Sequence, residues 1–243
     1  MNIVLLESED WLDETRVQLL GRRHQHLHKI LKVKVGDTLR VGVLGGMRGV
    51  ARVMACDQES AELWVTLNAP PPPRHPFKVV LALPRPKMLR RVLRSCAEYG
   101  IAELHLINSY RVEKSFWQTP LLGKDRIDEA LRAGLERSGD TILPKVVLHT
   151  RFRPFMEDQL NGIAGHAPIF CLHPGEHGPL PADTGLEATV LIGPEGGFIP
   201  FEVELAQQIG ASLRHLGDRI LSVDTAVNAA LARELPGSNE PII

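Results

Sequence analysis

The sequence contains few cysteines, few aromatic residues and no long apolar run. Its three cysteines, Cys56, Cys96 and Cys171, are widely spaced without a CxxC pair, which argues against a disulfide framework or a zinc site. No stretch approaches the roughly 20 apolar residues that a membrane helix needs, and acids in the start MNIVLLESEDWLDE argue against a signal peptide. We therefore expect a cytoplasmic protein without a metal, whose 243 residues suffice for one large domain or two modest ones.

The net charge of -1 conceals a strong asymmetry along the chain. Residues 16–52 carry nine Lys/Arg and one acid, and residues 74–97 carry seven Lys/Arg and no acid. Residues 155–243 carry three Lys/Arg against twelve Asp/Glu. Such basic runs are often solvated surface, but two runs almost free of acid favour a face that binds a polyanion, because neutralised phosphates release counterions. Nucleic acid is the expected partner.

Three histidines alternate near the N-terminus, at His24, His26 and His28. Alternating histidines can bind metal, but their neighbours are basic and neither an acid nor a cysteine stands beside them. The pattern therefore favours an RNA-facing surface.

The proline-rich stretch LNAPPPPRHPF, residues 67–77, divides the chain, because such a composition forms a stiff spacer rather than a helix or central strand. We place the domains at residues 1–72 and 73–243. The first has short alternating apolar runs, which predict a small antiparallel barrel. In the second, apolar runs alternate with helical patterns, which predicts an α/β domain with a parallel sheet between helices on both faces.

The elements of the second domain can be placed individually. Strands are predicted at 77–83, 102–107, 145–149, 168–173, 188–193 and 212–217, and helices at 86–100, 124–139, 200–209 and 223–234. The first helix should end with Gly100 just past its C-terminus. Its outward face carries Lys87, Arg90, Arg91 and Arg94, typical either of an ordinary amphipathic helix or of a phosphate-contacting surface.

Three unusual loops follow predicted strands: HPGEHG at 173–178, GPEGG at 193–197 and GDRILS at 217–222. Ligands of open parallel sheets bind at the carboxyl ends of strands, and glycines let a backbone approach a ligand closely. Phosphate is disfavoured, because no lysine accompanies the glycines and Glu195 would repel it. We expect a polar ligand held by backbone groups; a tight turn without a ligand is the alternative.

LIGPEGGF (191–198) followed by LGDRILSVDTAVNAAL (216–231) resembles the paired signature of the RsmE family of ribosomal RNA uridine-N3 methyltransferases, in the SPOUT superfamily. The segments HLHKILKVKVGD (26–37) and ERSGDTILPKV (136–146) resemble further family motifs, so nearly the whole chain is covered. The resemblance implies a PUA-like β-barrel, expected to bind RNA, followed by a SPOUT-type α/β domain with a trefoil knot. It also implies a homodimer that methylates N3 of a uridine in 16S ribosomal RNA, on the RNA itself or on the small subunit.

The family binds S-adenosylmethionine in the knot. Carried over motif by motif, the resemblance implies cofactor contacts from Leu172, His173, Ile192, Gly193, Pro194, Gly196, Gly197, Leu216, Gly217, Ile220, Leu221, Ser222, Thr225 and Ala226. Arg219 and Asp224 are the expected catalytic residues. The basic residues expected to contact RNA are Arg22, Arg23, Lys32, Lys34, Arg85, Lys87, Arg90 and Arg91.

The sequence departs from the family pattern at three positions. Ser222 and Asp140 stand where the family has arginine, and Asp224 replaces a glutamate. We expect a relocated cation, from Arg85, Lys87 or Arg137, to compensate. The two expected catalytic residues also have possible structural roles. Arg219 could form an ion pair, and Asp224 could be the N-cap of the last helix.

Two other functions also remain. One is an RNA-binding homologue with weak or no transfer activity. The other is a methyltransferase for a different RNA position.

Overall fold

The computed structural model describes residues 2–236 and divides into two compact units. The first comprises Met1–Pro72 with Ala133–Leu143, and the second Pro73–Arg132 with Pro144–Ile243. The division near residue 72 lies within the proline-rich stretch, and a segment far along the chain, residues 133–143, belongs to the first unit. Its Thr141 accepts a hydrogen bond from Gly45 N at 2.8 Å and donates one to Gly46 O at 2.6 Å.

The first unit contains a five-stranded sheet with the order β1-β3-β4-β5-β2. Its strands are β1 (Val4–Leu6), β2 (Arg16–Leu19), β3 (Thr38–Val43), β4 (Arg48–Cys56) and β5 (Ala61–Ala69). The pairs β3–β4, β4–β5 and β2–β5 are antiparallel, whereas β1 pairs with β3 in parallel. The antiparallel pattern predicted for residues 35–67 agrees with the pairing of β3, β4 and β5, whereas β1, which was not predicted, skips its sequence neighbour and pairs across a long connection.

The histidine-bearing segment is helical rather than extended. Helix α1 (Gly21–Gln25) continues into a wide π-helical turn over His26–Leu31. Residues four apart lie on one helical face, so His24 and His28 stack, with ring centroids 5.6 Å apart. His24 is only 3% exposed, so its assignment to an RNA-facing surface is wrong.

The second unit contains a six-stranded sheet with the order β11-β9-β10-β6-β7-β8. Its strands are β6 (Phe77–Ala82), β7 (Glu103–Ile107), β8 (Lys145–His149), β9 (Ile169–Leu172), β10 (Ala188–Ile192) and β11 (Ser212–Arg214). All five pairings are parallel. The predicted α/β class with a parallel sheet is confirmed.

The helices of this part of the chain are α2 (Pro86–Glu98), α3 (Lys124–Ser138), α4 (Phe152–Asp158), α5 (Leu160–Ala164), α6 (Pro200–Gln208) and α7 (Val223–Leu231). Four match predicted helices within a few residues, and Gly100 follows α2 with φ +71° as expected. The two short helices α4 and α5 were not predicted. Within residues 2–236, none of these helices is long and apolar enough to cross a membrane.

His75 joins the start of β6 to the end of α7. Its Nε2–H donates to Leu231 O at 2.8 Å, and its Nδ1 accepts from Phe77 N at 3.0 Å. Both bonds need the neutral ring, and burial lowers the pKa of His75 below its ordinary value of 6.5.

We expect the free energy of unfolding to fall as the pH drops below 6.5. The unfolded chain takes up the His75 proton more readily than the folded chain, so this stability is complete above that pH and is lost as the pH falls through the folded pKa. Urea unfolding from about pH 8 to about pH 5 measures the slope. His75→Gln should reduce the slope. An unchanged slope would show that His105, His149 and His173, whose pKa values are also lowered by burial, account for it.

Candidate active site

Three loops leave the same edge of the sheet in the second unit. Strands β9, β10 and β11 are neighbours and run parallel, with Ile192 and Arg214 both in register with Leu172. The loops after them are the three glycine-containing loops of the sequence. The carboxyl ends of parallel strands are the usual ligand site of such sheets.

The GPEGG loop after β10 depends on glycine at two positions. A side chain at Gly193 would come within 3.2 Å of Phe198 N and 3.3 Å of its ring. Gly197 has φ +72° and donates to Pro194 O at 2.8 Å, which closes the turn. Open space lies where a Cβ at Gly197 or Gly217 would point, so the backbone there is accessible to a ligand.

Backbone donors in these loops are available for hydrogen bonding. Within residues 2–236, the backbone N–H groups of Gly196, Leu216, Ile220 and Leu221 donate no hydrogen bond. A ligand with carboxylate, ribose and adenine acceptors matches these donors, because unpaired N–H groups at a turn bind polar atoms. The residues present therefore fit S-adenosylmethionine.

Glu202 connects the segment after the GPEGG loop to the loop that follows β7 through hydrogen bonds. This carboxylate is only 3% exposed, and its Oε2 accepts from Ser109 Oγ at 3.1 Å and Ile199 N at 3.0 Å. Its Oε1 accepts from Tyr110 N at 2.8 Å. Arg111 in turn donates to Gly196 O. The sequence analysis predicted neither charged residue. Only Glu202, three residues after Ile199 and two after the helix-starting Pro200, carried a capping signal.

We expect Glu202→Gln to destabilise the protein by about 1–3 kcal/mol and to weaken cofactor binding. The amide has one acceptor oxygen where the carboxylate uses two, so a buried donor loses its partner. Urea unfolding and calorimetric titration with S-adenosylmethionine measure the two effects. Glu204→Gln, which alters an exposed acid on the same helix, should change neither.

The third loop ends in a small hydroxyl and carboxylate cluster at the start of α7. Ser222 Oγ donates to Asp224 Oδ1 at 2.7 Å and lies 2.9 Å from Thr225 Oγ1. Ser222 occupies the N-cap position, and Asp224 is the second helical residue. Asp224 is therefore not the N-cap, and its half-buried carboxylate faces Ser222.

The cation beside Asp224 comes from α2. Arg91 Nη1 lies 3.9 Å from Asp224 Oδ2, with the arginine side chain exposed. The sequence predicted Arg85, Lys87 or Arg137 as the cation that compensates for the missing family arginines. Arg85 instead donates its backbone N–H to Glu195 Oε1 at 3.1 Å, and Arg137 belongs to the first unit. Arg91 was not among the cations expected to compensate, because the packing of α2 against α7 is not visible in the sequence.

Arg219 and Ile220 project from the tip of the third loop. Arg219 is exposed, and within the described residues its guanidinium has neither a hydrogen bond nor an ion pair. The alternative role in an ion pair is therefore unsupported. Ile220 is 91% exposed, which is unusual for a large apolar side chain.

The other expected cofactor residues lie on the strand ends, in these loops or on the first turn of α7. They are Leu172, His173, Ile192, Pro194, Leu216, Leu221, Thr225 and Ala226. Burial, followed by the charge of His177, lowers the pKa of His173, so this ring is neutral at pH 7.

The basic residues expected to contact RNA differ in their availability. In the first unit, Arg23 binds Asp10 at 2.5 and 2.7 Å, and Arg22 pairs with Glu136. Arg23 is mostly buried and acts as a structural ion pair. In contrast, Lys32 and Lys34 are exposed.

In the second unit, all four candidate cations are exposed. Arg90 pairs with Glu129 at 3.2 Å, and Lys87 has no partner within the described residues. Asp140, which replaces a family arginine, lies in the first unit, where its Oδ1 accepts from Thr141 N at 2.6 Å and Ile142 N at 3.1 Å. The Asp140 carboxylate therefore stabilises a local turn by accepting hydrogen bonds from the two residues that follow it.

The fold and the loop geometry define an α/β protein whose parallel sheet presents a ligand site at its carboxyl edge. The chain belongs to the family described as RNA methyltransferase domain, whose model matches residues 71–234. This confirms the resemblance found in the sequence.

Curated relatives cover almost the whole chain. Ribosomal RNA small subunit methyltransferase E of Treponema pallidum (strain Nichols) is 29% identical over 239 residues, covering 96% of this chain and 90% of the relative. The protein of the same name from Synechocystis sp. is 27% identical, covering 94% and 76%.

Solved structures share the fold. A ribosomal RNA small subunit methyltransferase E from Neisseria gonorrhoeae, bound to S-adenosyl methionine, matches with TM-score 0.72 and 21% identity, covering 96% of this chain and 95% of the other. A putative methyltransferase from Legionella pneumophila, in complex with the same cofactor, matches with TM-score 0.69 and 19% identity, covering 95% of each chain.

Proposed function

We propose that this protein is an S-adenosylmethionine-dependent methyltransferase that modifies N3 of a uridine in 16S ribosomal RNA. The observation that carries the proposal is the convergence of three loops with unused backbone donors beside the Asp224 carboxylate. Membership of the RNA methyltransferase domain family and relatives named for the small subunit RNA support it. Such a substrate implies action in the cytoplasm.

The cofactor would be held mainly by main-chain atoms of the loops at 193–197 and 216–222. When bound, S-adenosylmethionine supplies a methyl group on a positively charged sulfur. The neutral ring of His173 adds no repulsive charge at the end of β9. Gly197 and Gly217 leave space for the ligand to approach the backbone.

Asp224 is proposed to accept the N3 proton of uridine. As N3 forms its bond to the methyl carbon, the bond from that carbon to sulfur breaks and the N3 proton passes to the carboxylate. Ser222 Oγ, at 2.7 Å, orients the carboxylate, and Arg91 keeps a positive charge beside it. For Arg219, expected from the resemblance to be catalytic, we propose a contact with the RNA, which its exposed side chain without a partner among residues 2–236 supports. The uridine must be unpaired or swung out, since N3 lies on its pairing edge.

We propose a knot in the second unit, formed by passage of the C-terminal segment through the loop between β9 and β10. Leu180 N donates to His215 O at 2.9 Å, so this loop lies against the segment after β11. Glu234, just after α7, accepts from Thr184 Oγ1 at 2.6 Å and Gly185 N at 2.9 Å. These bonds support a C-terminal segment enclosed by the loop.

The first unit is proposed to be a PUA-like RNA-binding domain. Its compact sheet and the exposed Lys32 and Lys34 support this assignment. A homodimer is proposed because Ile220, Phe201 and Leu235 are large exposed apolar side chains in the second unit, and a partner would shield them from water.

The direct test incubates the full-length protein with labelled S-adenosylmethionine and small ribosomal subunits that lack the native modification. We expect 3-methyluridine in the nucleoside mass analysis. A methylated nucleoside of another kind or at another position would indicate a different RNA target.

An RNA-binding homologue with weak or no transfer activity is the second candidate. The observation that favours it is Ser222, which brings a hydroxyl rather than a guanidinium to Asp224. Binding of the cofactor and of RNA without transfer to any nucleoside would support this function and contradict the enzyme.

A further inference from the structure

Two histidines and a cysteine of the first unit converge, independently of the proposed methyl transfer. One ring nitrogen each of His24 and His28 and the Sγ of Cys56 lie within 4.8 Å of one another. Cys56 Sγ is 3.9 Å from His28 Nδ1. The histidine pattern suggested metal binding, but the participation of Cys56 has no local signal, because Cys56 is 28 residues away from His28. We propose that these three side chains form a binding site for a divalent transition-metal ion of the zinc class.

The hydrogen bond of His24 leaves one of its nitrogens available as a ligand. His24 Nε2 lies 3.0 Å from Asp57 O, and a carbonyl oxygen can only accept. Nε2 therefore carries a proton, and Nδ1 is the nitrogen that can offer a lone pair to an ion. Metal-binding histidines typically donate their second N–H to such a carbonyl or carboxylate, which fixes the ring.

The backbone is irregular at both sides of the site. His28 lies in the π-helical turn His26–Leu31, which ends at Lys32 with φ +51°. Single π turns are rare and are frequent at functional sites. On the other side, the register of β4 and β5 shifts between Val53 and Ala55, directly before Cys56. Bulges of this kind redirect the side chains that follow.

The two imidazole nitrogens and the thiolate sulfur determine which metal ion the site would prefer. Imidazole nitrogen and thiolate sulfur suit Zn²⁺, whereas Mg²⁺ and Ca²⁺ require oxygen ligands. Bond lengths of about 2.3 Å to sulfur and about 2.0 Å to nitrogen place donors of a tetrahedral site roughly 3.5 Å apart. The distance of 3.9 Å between Cys56 Sγ and His28 Nδ1 is close to this value. Small side-chain rotations would shorten the distances between the donor atoms to those of a bound ion.

Three protein ligands leave a fourth position for water. Binding forms the metal–sulfur bond and releases the Cys56 thiol proton to solvent. The ion would crosslink the π-helical turn, which carries Lys29 and is followed by Lys32, to the end of β4. The site therefore has a structural role in holding an exposed basic segment in one conformation.

The test titrates the metal-stripped, full-length protein with Co²⁺, whose spectrum reports ligands and geometry, and measures bound Zn²⁺ by elemental analysis. We expect one equivalent per chain, with sulfur-to-cobalt charge-transfer absorption and the intense visible bands of a four-coordinate ion. Cys56→Ser should abolish the charge-transfer absorption, and His28→Gln should weaken binding at least about tenfold. Zn²⁺ should raise the melting temperature of the wild type but not of Cys56→Ser.

Matched controls separate the site from unspecific binding. His26→Gln changes a neighbouring histidine outside the cluster, and Cys96→Ala removes a buried thiol of the second unit; both should bind like the wild type. Because His28→Gln and Cys56→Ser act on different elements, a folding defect in one leaves the other informative. Binding without sulfur absorption, or equal binding by all variants, would mean surface adsorption only and would overturn the proposal.

Discussion

Asp224→Asn is expected to reduce the rate of methyl transfer by about 10²–10⁴-fold while cofactor affinity stays unchanged. Asparagine keeps the shape of the side chain and can still accept from Ser222 Oγ, but it cannot take up the N3 proton. Single-turnover transfer to unmodified small subunits measures the rate, and calorimetric titration measures cofactor binding. Asp224→Glu should retain part of the activity, because it restores the carboxylate with altered reach.

The control for this experiment is Glu204→Gln, which removes an exposed carboxylate from the same unit. It should transfer methyl groups at the wild-type rate. If Asp224→Asn did so as well, Asp224 would not be the proton acceptor and would act only as a negative charge in the first turn of α7.

Gly49→Ala is expected to destabilise the first unit by about 3 kcal/mol or more. A Cβ at this position would lie 1.9 Å from Thr66 O and 2.8 Å from the Leu67 Cα, both backbone atoms of β5. No side-chain rotation can relieve the contact, so the strands must separate where their register already shifts next to Arg48. Urea unfolding followed by fluorescence measures the loss.

Gly46→Ala is the matched control in the same hairpin. Its Cβ would meet no atom closer than 3.5 Å, an ordinary van der Waals contact. We expect a change within about 1 kcal/mol. Similar losses for both variants would indicate a general need for flexibility in the hairpin rather than a backbone clash at Gly49.

Local sequence patterns predicted the second unit well. Strands β6, β7, β9 and β10 are short apolar runs that are mostly buried, and α2 carries its buried residues at helical spacing between Pro86 and Gly100. The three loops were found because strand ends in parallel sheets are ligand sites and because their glycines are conspicuous.

Features that depend on distant residues were not predictable. The parallel pairing of β1 with β3 and the return of residues 133–143 to the first unit have no local signal. Arg91 meets Asp224 only because two helices pack, and α2 and α7 lie far apart in the sequence. The short helices α4 and α5 offered too few turns for a clear periodicity, and Pro154 interrupts the pattern.

The strand order of the second sheet has a consequence for the synthesis of the protein. Strand β6 is paired on one side with β7, but its other neighbour is β10, which is translated more than one hundred residues later. Until then, one edge of an apolar strand lacks its hydrogen-bonding partner, and such an edge can pair with another chain. We therefore expect slow translation between residues 107 and 188 to lengthen the period in which the nascent chain can aggregate.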